Sequence, residues 1–118
     1  MGMALSESFE SARLVFEEVN ALSQNLSRIM FEGPDDELRL TENAQPALMA
    51  VSMAVLRVLS QDGKITIGDK ASFVAGHSLG EYTALAAAGS LGLVDAARLL
   101  KLRGQAMQKA VPIGEGAM

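Results

Sequence analysis

Residues 76–80, Gly-His-Ser-Leu-Gly, have the types and spacing of a nucleophile elbow. In this Gly-x-Ser-x-Gly pattern a sharp strand-to-helix turn exposes the serine hydroxyl, and small residues at Gly76 and Gly80 avoid a collision across the turn. The backbone N–H groups that open the helix can stabilise an oxyanion, and that of Leu79 comes first. The motif predicts covalent acyl transfer through Ser78. The alternative is a glycine-rich turn in which Ser78 only caps a helix.

The elements that must position this serine are also present in the sequence. Residues 71–75 have the apolar composition of a short buried strand, and residues 79–88 form an alanine-rich helix that Gly89 could end. A strand that leads into a helix through the motif is the context that a nucleophile elbow requires.

Apolar periodicity predicts three long helices and one short helical piece, over about residues 4–23, 26–30, 43–60 and 94–110. Asn43 is the expected N-cap of the third, with Pro46 in its first turn. That helix is apolar nearly all round, which is typical of a buried helix. Helices alternating with at least one buried strand indicate an α/β fold.

Arg103, in the last predicted helix, is a second candidate for chemistry. At 100° per residue it falls in the middle of an apolar arc, whereas Arg98 and Lys101 lie on the solvated side. The arc contains Leu99, Leu100, Ala106, Met107 and Ala110. A guanidinium that points inward needs a partner because an unpaired buried charge is costly. A protein carboxylate or a ligand carboxylate could fill that role, and both remain open at this point.

The only histidine, His77, is the immediate neighbour of Ser78. Neighbours across an elbow point in different directions, so His77 is not expected to take the hydroxyl proton. Packing or a local hydrogen bond is its simplest role, and a place in the wall of the pocket is the alternative. The sequence therefore offers a nucleophile without an evident general base.

Composition excludes several classes of protein. The chain has 118 residues, enough for one domain, with a net charge of −4 and no basic patch, which argues against nucleic-acid binding. It has no cysteine and one histidine, so disulfides, a thiol nucleophile and a metal site built on these residues are not expected. No segment has the length of a membrane span or the pattern of a secretory signal. We expect a cytoplasmic protein with no membrane contact.

Four segments together resemble a known family, the malonyl-CoA:acyl carrier protein transacylases. The resemblance follows the order and spacing of the family's motifs along essentially all 118 residues. The matching segments are residues 41–48 (T-x-x-x-Q-P-A-L), 76–82 around the serine, 103–108 (R-G-x-x-M-Q) and 114–118 (G-x-G-A-M).

The resemblance implies transfer of a malonyl group from coenzyme A to the phosphopantetheine thiol of acyl carrier protein, for fatty acid synthesis. Ser78 matches the residue that carries the malonyl ester, Leu79 the oxyanion-hole donor and Arg103 the partner of the malonyl carboxylate. Malonyl-CoA is then a substrate, and no cofactor is expected. The implied fold is part of an α/β-hydrolase-like large subdomain, with residues 1–118 a partial acyltransferase domain that lacks the family's ferredoxin-like small subdomain.

Two alternatives to this function remain. One is the acyltransferase domain of a polyketide or fatty acid megasynthase, which shares the elbow. The other is an inactive, truncated protein that binds carrier protein, because the family's catalytic histidine and oxyanion glutamine have no counterpart here. The isolated chain is therefore expected to be inactive. It is also expected to be marginally folded, because the central strands that would cover its apolar helices would be absent. A general serine hydrolase is disfavoured because inward-facing Arg103 suits an acyl group with its own carboxylate.

Overall fold

The structure of the protein, a computed structural model, describes residues 1–21 and 25–115. These ranges contain eight α-helices and no β-strand. The helices are α1 (Met3–Ser8), α2 (Glu10–Asn20), α3 (Leu26–Glu32), α4 (Asp35–Arg39), α5 (Thr41–Gln61), α6 (Ile67–Lys70), α7 (Gly80–Ala87) and α8 (Leu93–Ala110). None of the described helices is long and apolar enough to cross a bilayer.

The first predicted helix is two helices in the structure. Phe9, with φ −134° and ψ 120°, separates α1 from α2, so the prediction of one continuous helix is wrong. The break lets the chain fold back on itself, so that Gly2 lies against Phe16. A Cβ on Gly2 would lie 2.8 Å from Cζ of Phe16. A straight helix could not bring these two residues together. Residues 22 and 23, which the prediction included, lie outside the described residues.

Helix α5 occupies the centre of the fold, between α2 and α8. It begins at Thr41 with Leu40 as its N-cap, so Asn43 lies inside the helix and the predicted cap is wrong. The Asn43 side chain donates instead to the Glu37 carbonyl, at 2.9 Å. The prediction that α5 is buried nearly all round is wrong, because Leu48 in its first half and Val55 in its second half are both exposed.

Helix α8 crosses α5 at very close range at Gly104. A Cβ at this position would lie 2.4 Å from Cα of Glu42, so only glycine allows this approach. The buried face of α8 consists of Ala96, Ala97, Leu100 and Gly104. This face is rotated from the predicted arc, of which only Leu100 is fully buried. Small residues determine the contact because they permit the closest approach of the two backbones.

The segment before the serine is not the buried strand that was predicted. Residues 71–75 have no regular secondary structure and are exposed, with Phe73 91% accessible. Backbone N–H and C=O groups form a strand only with a neighbouring strand to bond to. The described part of the chain places no such neighbour beside this segment, in which only the Ala71 amide forms a backbone hydrogen bond, to the Ile67 carbonyl. The predicted helix that follows is confirmed as α7.

Candidate active site

Ser78 occupies a tight turn that leads directly into α7. Its φ is +57°, a left-handed conformation that is uncommon for a residue with a side chain and typical of strained functional turns. A Cβ on Gly76 would lie 1.9 Å from the Gly80 carbonyl oxygen, so glycine is required at position 76. A Cβ on Gly80 would meet nothing within 4 Å among the described residues, so the predicted steric need for glycine there is not found. The turn exposes the side chain of Ser78.

Leu79 is the N-cap of α7, and its backbone N–H lies one residue after the serine. Among the described residues this N–H donates to no carbonyl, as expected for the first amide groups of a helix. The other end of α7 is fixed by Gly89, which has φ +75°. The amides of Gly89 and Ser90 donate to the carbonyls of Ala86 and Leu85, which forms a Schellman motif. Helix α7 thus presents a free N–H beside the hydroxyl.

Arg103 of α8 lies next to the serine. Its Nη2 donates to Oγ of Ser78 at 3.1 Å, and its Nη1 donates to Oε1 of Gln45 at 2.6 Å. Both partners are neutral, and within the described ranges Arg103 forms no ion pair with a carboxylate. Of the two partners left open by the sequence, the protein carboxylate is therefore not found. The guanidinium is half-buried and keeps an uncompensated positive charge at the nucleophile.

Gln45 is the residue of this arrangement that sequence reasoning missed as a site residue. It is 3% exposed and comes from the first half of α5. Its Nε2 donates to Oγ1 of Thr41 at 2.8 Å and lies 3.3 Å from Sδ of Met107. The available signal was the T-x-x-x-Q spacing of residues 41–45, which places a hydroxyl one helical turn before the amide.

His77 is not part of this cluster. Its side chain is exposed and forms no hydrogen bond with a described residue, although its carbonyl accepts from the Gly80 amide at 2.9 Å. The described ranges also place no other base at the hydroxyl. The only side chain there that is hydrogen-bonded to Ser78 Oγ is that of Arg103, which cannot accept a proton. A role for His77 in the wall of the pocket stays a prediction.

The site thus brings together three of the four predicted residues. Ser78 supplies a hydroxyl on a strained turn, Leu79 an N–H that suits a developing oxyanion, and Arg103 a planar set of donors that suits a carboxylate. No group of three or more potential metal ligands occurs within residues 1–21 and 25–115. The geometry fits chemistry at a carbonyl group on a substrate that also carries a negative charge.

The chain belongs to the acyl transferase domain family, whose model matches residues 1–118. Among curated relatives, the malonyl CoA-acyl carrier protein transacylase of Bacillus subtilis is 49% identical to this chain over 119 residues. That alignment covers 100% of this chain and 36% of the relative. The family resemblance inferred from the four motif segments is confirmed.

Solved structures agree with this assignment. An acyl-carrier-protein-S-malonyltransferase from Bartonella henselae has a TM-score of 0.90 and 63% identity, over 97% of this chain and 36% of that one. A malonyl-transacylase in complex with a type II polyketide acyl-carrier protein has a TM-score of 0.84 and 41% identity, over 95% and 35% respectively. The described helices thus have the acyltransferase fold, and the chain spans about a third of the length of the relatives it matches.

Proposed function

We propose that the protein containing this chain transfers a malonyl group from malonyl-CoA to acyl carrier protein through an ester on Ser78. The observation that carries this proposal is the charge of Arg103, which lies 3.1 Å from the Ser78 hydroxyl and has no carboxylate partner in the described part of the chain. A half-buried cation is costly unless an anion binds beside it. The relatives' names identify malonyl as the acyl group that they transfer.

The distances suit a malonyl group. In a malonyl ester of Ser78, the free carboxylate carbon lies three bonds from Oγ, a separation of roughly 3–4 Å from ordinary bond lengths. Arg103 donates to the same Oγ, so its guanidinium is within reach of that carboxylate without a large movement. An acetyl group has no carboxylate and would leave the cation unpaired. The site therefore favours acyl groups that carry their own negative charge.

The reaction has two acyl transfers. Oγ of Ser78 attacks the thioester carbonyl of malonyl-CoA, the negative charge develops on the carbonyl oxygen near the Leu79 N–H, and the carbon–sulfur bond breaks to release coenzyme A. The thiol of the carrier protein then attacks the ester and regenerates the serine. The serine proton passes to the leaving thiolate by way of a base, and the described residues place no such base at Oγ.

The proposal also concerns the fold of the segments outside the helices. We infer that residues 1–118 are a partial acyltransferase domain and that residues 71–75 form a strand of an α/β-hydrolase-like sheet when neighbouring strands are present. The exposure of Phe73 and Val74, directly before the elbow, supports this inference because apolar strand residues are normally covered. Cytoplasmic location and the absence of nucleic-acid and membrane partners stay predictions from the sequence, and the lack of a cofactor stays a prediction from the family resemblance.

The test is to weigh the intact protein, expressed from its complete reading frame, after incubation with malonyl-CoA. We expect one malonyl adduct, which is missing in Ser78→Ala and is discharged by acyl carrier protein bearing its phosphopantetheine thiol. Circular dichroism and thermal unfolding of the variant check that its fold is unchanged. An unmodified wild-type protein, or an adduct that survives in Ser78→Ala, would contradict the proposed function.

A second candidate concerns the 118 residues on their own: carrier-protein binding without acyl transfer. It is favoured by the lack of a described base at Ser78, since a serine hydroxyl is a weak nucleophile without one. Residues 1–118 expressed alone would then bind acyl carrier protein in a titration but form no adduct with malonyl-CoA. An adduct on Ser78 of this short chain would overturn the non-catalytic role.

A further inference from the structure

We propose that Gln45 and Thr41 are positioning residues that hold Arg103 towards Ser78, and that the neutral amide at position 45 preserves the preference for acyl groups with a free carboxylate. This inference rests on the proposed function and deepens it. It assigns the choice of acyl group to a buried chain of contacts, from Thr41 through Gln45 to Arg103, in addition to the arginine itself.

The orientation of the Gln45 amide follows from the chemistry of its neighbours. A guanidinium has donors only, so the atom of Gln45 that meets Nη1 of Arg103 at 2.6 Å must be the carbonyl oxygen. The amide nitrogen then faces the opposite way, where Oγ1 of Thr41 accepts at 2.8 Å. Arg103 thus selects the amide orientation, and the Thr41 hydroxyl, which can donate or accept, holds the amide nitrogen in that orientation.

Burial makes this arrangement rigid. Gln45 is 3% exposed, and its amide nitrogen also contacts the sulfur of Met107, one helical turn beyond Arg103 on α8. Every buried side-chain nitrogen and oxygen of the described residues has a hydrogen-bond partner, so no competing group in this part of the chain draws the amide away. One guanidinium nitrogen is held by Gln45, and the other is directed to the serine.

The charge of the residue at position 45 matters as much as its shape. A carboxylate there would have the same size and would bind Arg103 more strongly, but as an internal ion pair. The cation would then be neutralised before any acyl carboxylate arrived. The amide holds the guanidinium in place and leaves its charge available to the substrate.

The experiment compares near-isosteric variants of the protein expressed from its complete reading frame. Initial loading rates of Ser78 with malonyl-CoA and with acetyl-CoA are measured by intact mass for wild type, Gln45→Met and Gln45→Glu, and KM and kcat are separated. We expect malonyl loading to fall roughly tenfold in Gln45→Met and roughly a hundredfold in Gln45→Glu, mainly in KM. Acetyl loading should fall clearly less than malonyl loading in both variants, since an acetyl group has no carboxylate to pair with the guanidinium.

Thr41 supplies a matched pair of variants. Thr41→Ser keeps the hydroxyl and should load malonyl as wild type does, whereas Thr41→Val keeps the shape and should lose roughly threefold. A merely structural role for Gln45 would lower malonyl and acetyl loading equally, and this result would overturn the inference. So would a wild-type malonyl preference in Gln45→Glu. If wild type itself forms no malonyl adduct, the proposed function fails and the inference fails with it.

Discussion

Lys101 and Arg103 both extend from α8 to the beginning of α5, close to Gly104. Their charged groups have opposite chemical environments. Nζ of Lys101 forms an ion pair with Oε2 of Glu42 at 3.2 Å and donates to Oδ1 of Asn43 at 2.8 Å. Arg103 donates to an amide oxygen and to the serine hydroxyl. The same helix contact thus carries one neutralised charge and one charge without a described counterion.

Under the proposed function, the difference separates a structural cation from one that is available to a ligand. A protein that needed both cations only to join two helices could place a carboxylate beside each of them. At Lys101 it does so, and the pair is complete without a substrate. At Arg103 the position that could hold a carboxylate is occupied by Gln45, and the second partner is the nucleophile itself. The proposed acyl transfer therefore involves Arg103 and not Lys101.

The largest expected effect is on malonyl loading when Arg103 is replaced. Arg103→Met removes the partner of the acyl carboxylate, and truncating one side of a desolvated charge pair costs about 2–4 kcal/mol, roughly 30- to 1,000-fold in rate. The rate of malonyl loading is measured by intact mass in samples quenched at successive times after mixing with malonyl-CoA. Thermal unfolding should show a loss of about 1–3 kcal/mol, because the buried carbonyl oxygen of Gln45 loses its donor. A rate within threefold of wild type would show that Arg103 is not the malonyl contact.

The next largest effect is expected on stability when the close contact between α5 and α8 is disrupted. This contact supports both Lys101 and Arg103. Gly104→Ala forces a Cβ to within 2.4 Å of Cα of Glu42, a backbone atom that cannot rotate away. We expect a loss of about 2–3 kcal/mol in the free energy of unfolding, measured by urea denaturation. Gly68→Ala is the control, since a Cβ there meets nothing within 4 Å. Equal stability of the two variants would contradict the close packing.

The smallest effect is expected at Lys101. The side chains of its ion pair with Glu42 are 30% and 29% exposed, so solvent screens the interaction only in part. Lys101→Met should cost about 1 kcal/mol of unfolding free energy and leave malonyl loading unchanged. Arg98→Met, which breaks an exposed pair with Asp95, is the matched control and should cost less. A large loss of loading in Lys101→Met would remove the distinction between the two cations.

The tight turn at Ser78 was predicted well because it is a local feature. Ser78, Gly76 and the start of α7 lie within a few residues of one another, and their types restrict the backbone directly. The end of α7 at Gly89 was predicted for the same reason, since a left-handed residue after a helix favours glycine. Helical periodicity gave a weaker result for Arg103, because the apolar arc around it is not the buried face of α8 and the guanidinium is only half-buried.

Features that depend on distant partners were predicted less well. The strand at residues 71–75 needs neighbouring strands, and none lies beside it in the described part of the chain. The buried face of α8 is set by the approach of Gly104 to α5, which hydropathy does not measure. Gln45 was missed as a site residue because its contact with the site is a hydrogen bond to Arg103, a residue 58 positions away in the sequence.

The measurement that tests the central claim most directly is a competition between malonyl-CoA and acetyl-CoA at equal concentrations. The ratio of the two adducts on Ser78 is read by intact mass for wild type, Arg103→Met and Lys101→Met. The account predicts that wild type and Lys101→Met share one strong malonyl preference, and that Arg103→Met loses it. A malonyl preference that survives in Arg103→Met, or that disappears equally in both variants, would contradict the assignment of the acyl carboxylate to Arg103.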